Sequence, residues 1–110
     1  GLCYAAKAEG GWRLVLDGKE FPPYASIEPA TITFAPGKMR RVACVVSTGS
    51  GAMVLVDGTP GPLYDAVLTR KGGRLVFDSA TALRYLAARG QDVLMVSEEL
   101  PPGDTGPVIR

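Results

Sequence analysis

The chain has 110 residues, 46% of them apolar, with 12 basic and 11 acidic side chains and a formal net charge of +1. That length holds one domain with a modest core, and the apolar content excludes a disordered chain. The near-zero charge gives no reason to invoke nucleic acid or an anionic membrane, and no apolar run approaches the ~20 residues of a membrane-crossing helix.

Histidine is absent. This removes the commonest general base and the usual zinc ligand. Fourteen glycines and nine prolines punctuate short apolar runs, which predicts strands and turns rather than long helices. The chain begins at Gly1 rather than Met, as a processed or trimmed product would, and carries no signal peptide from which to read a compartment.

Taken in order, the first strand is predicted at residues 2–7, turned back by Glu9-Gly10-Gly11 into a second at 12–17. Asp17-Gly18 is a hairpin-turn signal. Phe21-Pro22-Pro23-Tyr24 reads as an extended crossing segment, because proline fixes its own φ and restrains the residue before it. Strands follow at 31–34, 41–47 and 52–57, separated by Pro36-Gly37 and by Ser47 to Gly51, and Asp57-Gly58 ends the last of them. Leu63 to Leu68 crosses as before, and further strands are expected at 74–77 and 93–97.

Ser79 to Gly90 is a segment where two signals conflict. Its residues are good helix formers, with Asp78 or Ser79 available as an N-cap and Gly90 as a C-terminal stop. Its place in the chain argues instead for a turn and then a strand over Leu83 to Ala88, and intrinsic propensity is the weaker of the two arguments. Pro101 to Arg110, with three prolines and two glycines, is expected to leave the fold as a mobile strap.

That place in the chain is set by a repeat. Leu14-Val15-Leu16-Asp17-Gly18 recurs 40 residues later as Val54-Leu55-Val56-Asp57-Gly58, and Pro22, Tyr24, Ala25 and Ile27 are matched by Pro62, Tyr64, Asp65 and Val67. The units span about 2–28, 31–68 and 74–97 within a domain of residues 1–100. A period near 40 built from short strands is a signature of stacked β-repeats.

The residues that carry the repeat, together with Phe34 to Gly37 and Phe77-Asp78, resemble the WD40-like or TolB-type β-propeller repeat. The family's Ser-Pro-Asp-Gly turn is only partly kept: Ala35-Pro36-Gly37 lacks the Asp, and Phe77-Asp78-Ser79 lacks both Pro and Gly. The resemblance implies antiparallel blades, here a partial propeller of all-β class. Fewer than three full units cannot close a ring of at least four blades. The expected routes to completion are a homo-oligomer, a larger whole, or a collapsed two-unit sandwich.

The chemistry-bearing residues are few. Asp17 and Asp57 read as turn residues rather than a catalytic pair, since no base accompanies either. Ser47, Thr48 and Ser50 form no nucleophilic arrangement without a histidine, and Gly49-Ser50-Gly51 lacks the lysine and helix of a phosphate loop. Lys38-Met39-Arg40-Arg41 reads as a solvated basic turn. Cys3 and Cys44 read as free, buried thiols; strand alternation sets them on opposite faces of their repeats.

Trp12, Tyr24, Tyr64 and Asp65 remain as candidate ligand contacts. Trp12 is an aromatic that its repeat partner Ala52 does not share, and the tyrosines recur. The expectation is a non-enzyme: a binding or scaffolding module without cofactor or metal, whose partner is a protein or peptide. A small lectin-like, carbohydrate-binding protein is the alternative.

Overall fold

The computed structural model describes residues 3–36, 41–69 and 74–100. Leu2, Gly37 of the expected turn, Lys38 to Arg40 and the tail 101–110 lie outside the described residues. The described chain is all-β and antiparallel, without helix.

The first sheet is β1 (Cys3–Ala8), β2 (Gly11–Leu16) and β3 (Lys19–Glu20), in that order. The second is β4 (Ser26–Phe34), β5 (Val42–Thr48), β6 (Gly51–Val56) and β7 (Thr59–Pro60). In the third, β8 (Ala66–Leu68) and β9 (Val76–Ser79) both lie along one side of β10 (Ala82–Arg89), and β11 (Asp92–Glu99) lies on the other.

The repeat is a geometric fact as well as a pattern of letters. Asp17 and Asp57 have φ of 49° and 52°, and Gly18 and Gly58 have 84° and 83°. Two successive positive φ values make the tight two-residue hairpin whose twist suits the flanking strands, and Asp-Gly is the pair that tolerates them. The segment after each hairpin returns to the same place. Trp12 N–H donates to Tyr24 O and Tyr24 N–H to Trp12 O, both at 2.7 Å; Ala52 and Tyr64 exchange the same two bonds at 2.8 Å. Phe21 N–H donates to Leu14 O, as Gly61 N–H does to Val54 O, each at 3.0 Å.

Strand alternation then sorts side chains between two cores. One face of β5 and β6 presents Cys44, Val46, Met53 and Leu55 to Leu14, Cys3 and Ala5 of the first sheet. The other presents Ala43, Val45, Ala52 and Val54 to Leu83, Tyr85, Ala87, Leu94 and Val96 of the third. The three sheets therefore stack in chain order, and the middle one is covered on both sides.

Residues 79–90 are strand and turn, as the repeat requires. Leu83, Tyr85 and Ala87 are buried in alternation, a two-residue period that a helix could not bury on one face. Two expectations are corrected. The segments after Tyr24 and Tyr64 are more than crossings: Ser26 to Glu28 pairs with β5, and Ala66 to Leu68 with β10, each opening the next sheet. Arg41 does not sit in a solvated turn but is buried, 5% exposed, because Asp57 takes its charge.

Gly11 and Gly51 permit the returning segment to come close. A Cβ at Gly11 would sit 2.0 Å from Tyr24 O, and one at Gly51 would sit 2.2 Å from Tyr64 O, at φ of 144° and 150°. Gly11→Ala and Gly51→Ala are each expected to cost about 2–4 kcal/mol, since backbone has to move at a strained φ. Gly10→Ala, with open space at φ 88°, is expected to cost about 1–2 kcal/mol from its φ alone. Urea unfolding midpoints at constant slope measure the difference.

Candidate functional site

A pocket of about 210 Å³, lined by apolar as well as polar groups, opens where the second and third sheets meet. Its walls include Arg41, Asp57, Thr59, Gly61 and Glu98. The β6–β7 hairpin presents Asp57. One carboxylate oxygen accepts Val42 N–H at 3.0 Å and the other accepts Arg41 Nε at 3.2 Å. Arg41 Nη1 reaches across to Ala80 O at 3.1 Å, so one guanidinium ties the middle sheet to the β9–β10 turn. From β11, Glu98 accepts the Tyr85 hydroxyl at 2.8 Å.

These groups are connected rather than poised. The Asp57 carboxylate is held by two donors, and the Tyr85 phenol is pushed well above its usual range, first by burial and then by its bond to Glu98. The phenol of Tyr85 donates to a carboxylate, and the buried Arg41 pairs with Asp57 and reaches Ala80 O, so both groups stabilise the junction. Among the described residues no group of three or more Cys, Asp or Glu could hold a metal ion. Sequence reasoning missed Arg41 and Glu98. In sequence Ser97-Glu98 replaces the Asp-Gly of the repeat, and strand register then sets Glu98, opposite Leu83, in the place Asp57 takes beside Val42.

The four residues singled out from sequence fall at two equivalent junctions and do not converge on one site. Trp12 and Tyr24 lie side by side between the first and second sheets, Trp12 exposed and Tyr24 half-buried. Tyr64 occupies Tyr24's place one repeat on, but its ring is buried. Arg89 lies over it with its guanidinium carbon 4.6 Å from the ring centroid, and Tyr85 meets it edge-on at 6.2 Å. Asp65 is exposed and accepts the Gly90 N–H, which clips the crossing segment to the β10–β11 turn.

The cysteines are free, as expected, but the inference from alternation needs correcting. Opposite faces of neighbouring repeats point toward each other in a stack, so Cys3 and Cys44 share one core. Cys44 is buried and Cys3 half-buried. Burial, and secondarily the neighbouring Cys3 thiol, pushes the Cys44 thiol from 9.0 up to about 12.

Two outcomes follow from this geometry. Asp57→Ala strands the buried Arg41 and the Val42 N–H, and is expected to cost about 2–3 kcal/mol in urea unfolding, below the full cost of a broken buried pair because Asp57 is part-exposed. For Cys44, the unfolded chain loses its proton near pH 9 while the folded chain keeps it to about 12. The stabilisation is therefore complete below pH 9 and is lost as pH rises toward 12, at up to about 1.4 kcal/mol per pH unit. Unfolding titrations across that window should show the slope. Cys44→Ala should remove its part of the slope and leave the part from Tyr85, whose phenol is also raised, while Tyr85→Phe should leave the Cys44 part intact.

Comparison of the chain with protein-family models, with curated proteins and with solved structures finds no match.

Proposed function

We propose that this chain is a non-catalytic binding or scaffolding module built of propeller-like repeats of the WD40-like or TolB type, and that its ligand is a protein or peptide. Each sheet takes the part of one blade. Support for the blade reading comes from a four-stranded antiparallel sheet packed on both faces by sheets of the same repeat.

One contrast carries the binding reading. The acids of the pocket are committed to bonds at their own sheets and its arginine to a tie between two sheets, whereas Tyr4, Trp12, Leu63, Val93 and Met95 stand exposed. Large apolar side chains in water are the raw material of interfaces, and aromatic ones most of all. Trp12, flanked by Tyr24 and hydrogen-bonded to it through backbone, offers a rigid amphipathic contact at the rim of the first junction. Asp65 supplies the corresponding polar contact at the second. A lectin would want an exposed aromatic in each repeat; the enclosed Tyr64 ring favours the peptide reading.

Trp12 is the only tryptophan of the chain, so its fluorescence reports directly on this surface. A displayed peptide library selected on the protein is expected to return binders that shift or quench Trp12 emission. Trp12→Ala should weaken their affinity at least tenfold, about 1.4 kcal/mol. Arrayed glycans that shift the emission, with peptides failing to do so, would replace this reading by the lectin one.

A further inference from the structure

The two ends of the stack are mismatched with solvent in a specific way. The outward face of the third sheet carries Leu86 opposite Met95 and Ala88 opposite Val93. Val93 and Met95 are each 63% exposed. In the second sheet the same register places are Val45 opposite Val54 and Ser47 opposite Ala52. There Val45, Val54 and Ala52 are buried, because the third sheet covers them. The third sheet thus repeats a covered face, and among the described residues nothing covers it.

The outward face of the first sheet is the counterpart. It carries Tyr4 opposite Val15 and Ala6 opposite Arg13. The equivalent pairs of the third sheet are Tyr85 opposite Val96 and Ala87 opposite Leu94, and these pack into the core against the second sheet. Tyr4 therefore stands in the register of Tyr85, the bulkiest fully buried side chain of the protein, yet it is 45% exposed. Tyr-Ala-x-Val recurs in these four places in both sheets, with only Arg13 differing from Leu94.

We propose that the outward face of the third sheet of one copy packs on the outward face of the first sheet of a second copy, repeating between chains the interface that joins the second sheet to the third within one. Leu86, Val93 and Met95 meet Tyr4 and Ala6; Val15, beside Tyr4, is already buried within its own copy. Each face carries one arginine, and each is already paired within its own sheet: Arg13 Nη1 with Glu20 at 2.9 Å and Arg84 Nε with Asp78 at 2.9 Å. Neither guanidinium enters the interface without its ion-pair partner, although Arg13 Nε is buried without a hydrogen-bond acceptor. Because the two surfaces differ, the contact is heterologous. Such contacts close into a ring when the rotation per copy divides a full turn and grow open otherwise. This inference takes up Tyr4, Val93 and Met95 of the exposed side chains named above and leaves the Trp12 rim to the peptide ligand. It also differs from pairing of the free edges of β1 and β11, since it buries faces rather than backbone edges.

Sedimentation velocity of the whole chain from low to high micromolar concentration tests it. The wild type is expected above the chain mass of 11.5 kDa, rising with concentration to a limiting size. Val93→Asp with Met95→Asp, and separately Tyr4→Asp, should each sediment as a monomer with affinity weakened at least tenfold. Mixed in equal amounts, the two variants retain one good face each and should form a complex of two copies and no more. The side chains changed are exposed, so circular dichroism and melting should match the wild type; if a variant misfolds, Met95→Lys and Tyr4→Lys carry the same readout. A wild type that stays monomeric overturns the proposal. So does a Tyr4→Asp chain that still self-associates, since that would mean like faces pairing, and so does indifference to Val93→Asp with Met95→Asp, since that would mean edge pairing.

Discussion

Burial of the middle sheet on both faces is the interaction on which the remainder of the structure depends. A three- or four-stranded sheet of short strands hides too little of itself to stand alone. Val45 and Val54 are enclosed only because Leu83, Tyr85 and Ala87 lie over them, and Cys44, Val46 and Leu55 only because the first sheet does. Each such side chain contributes about 1.5–3 kcal/mol when taken fully from water. The two cores are therefore a property of the stack, and neither belongs to any one unit.

Stacking also dictates what the connections must do. After each Asp-Gly hairpin the chain has to leave one sheet and begin the next without exposing its backbone. It runs back along the sheet it has just finished, where Trp12 and Ala52 hold Tyr24 and Tyr64 through paired bonds, and then crosses to the new sheet as Ser26 or Ala66. The close approach leaves no room for a Cβ at Gly11 or Gly51, so the same residue type recurs at both. Backbone geometry is thus kept more strictly than side-chain chemistry from unit to unit.

Side chains diverge where the junctions acquire individual character. The place occupied by Asp17 and Asp57 becomes Glu98, which turns from hairpin chemistry to holding a tyrosine hydroxyl. Tyr24 stays half-exposed while Tyr64 is closed over, because the third sheet supplies Arg89 and Tyr85 and the second sheet supplies no equivalent pair at the first junction. Polar ties such as Arg41 to Ala80 O fix how the second and third sheets meet, which apolar packing alone leaves adjustable.

Local chemistry written in the sequence was enough for the longer hairpin strands, the Asp-Gly hairpins and the 40-residue period, because each depends on neighbours within a few residues or on the repeat itself. For the segment 79–90 the period favoured strand against helix propensity, and the burial of Leu83, Tyr85 and Ala87 in alternation settled it. Tertiary structure alone decided which sheet a residue serves. Ser26 to Glu28 and Ala66 to Leu68 look like crossings in a chain full of proline, yet β5 and β10 recruit them. Arg41 looks like part of a solvated basic run until Asp57, 16 residues away, draws it in. Cys3 and Cys44 look separated by alternation until stacking turns their faces toward each other. The reason is the same in each case: alternation assigns a side chain to one face of its own sheet, and only the neighbour that packs there determines whether that face is core, junction or solvent.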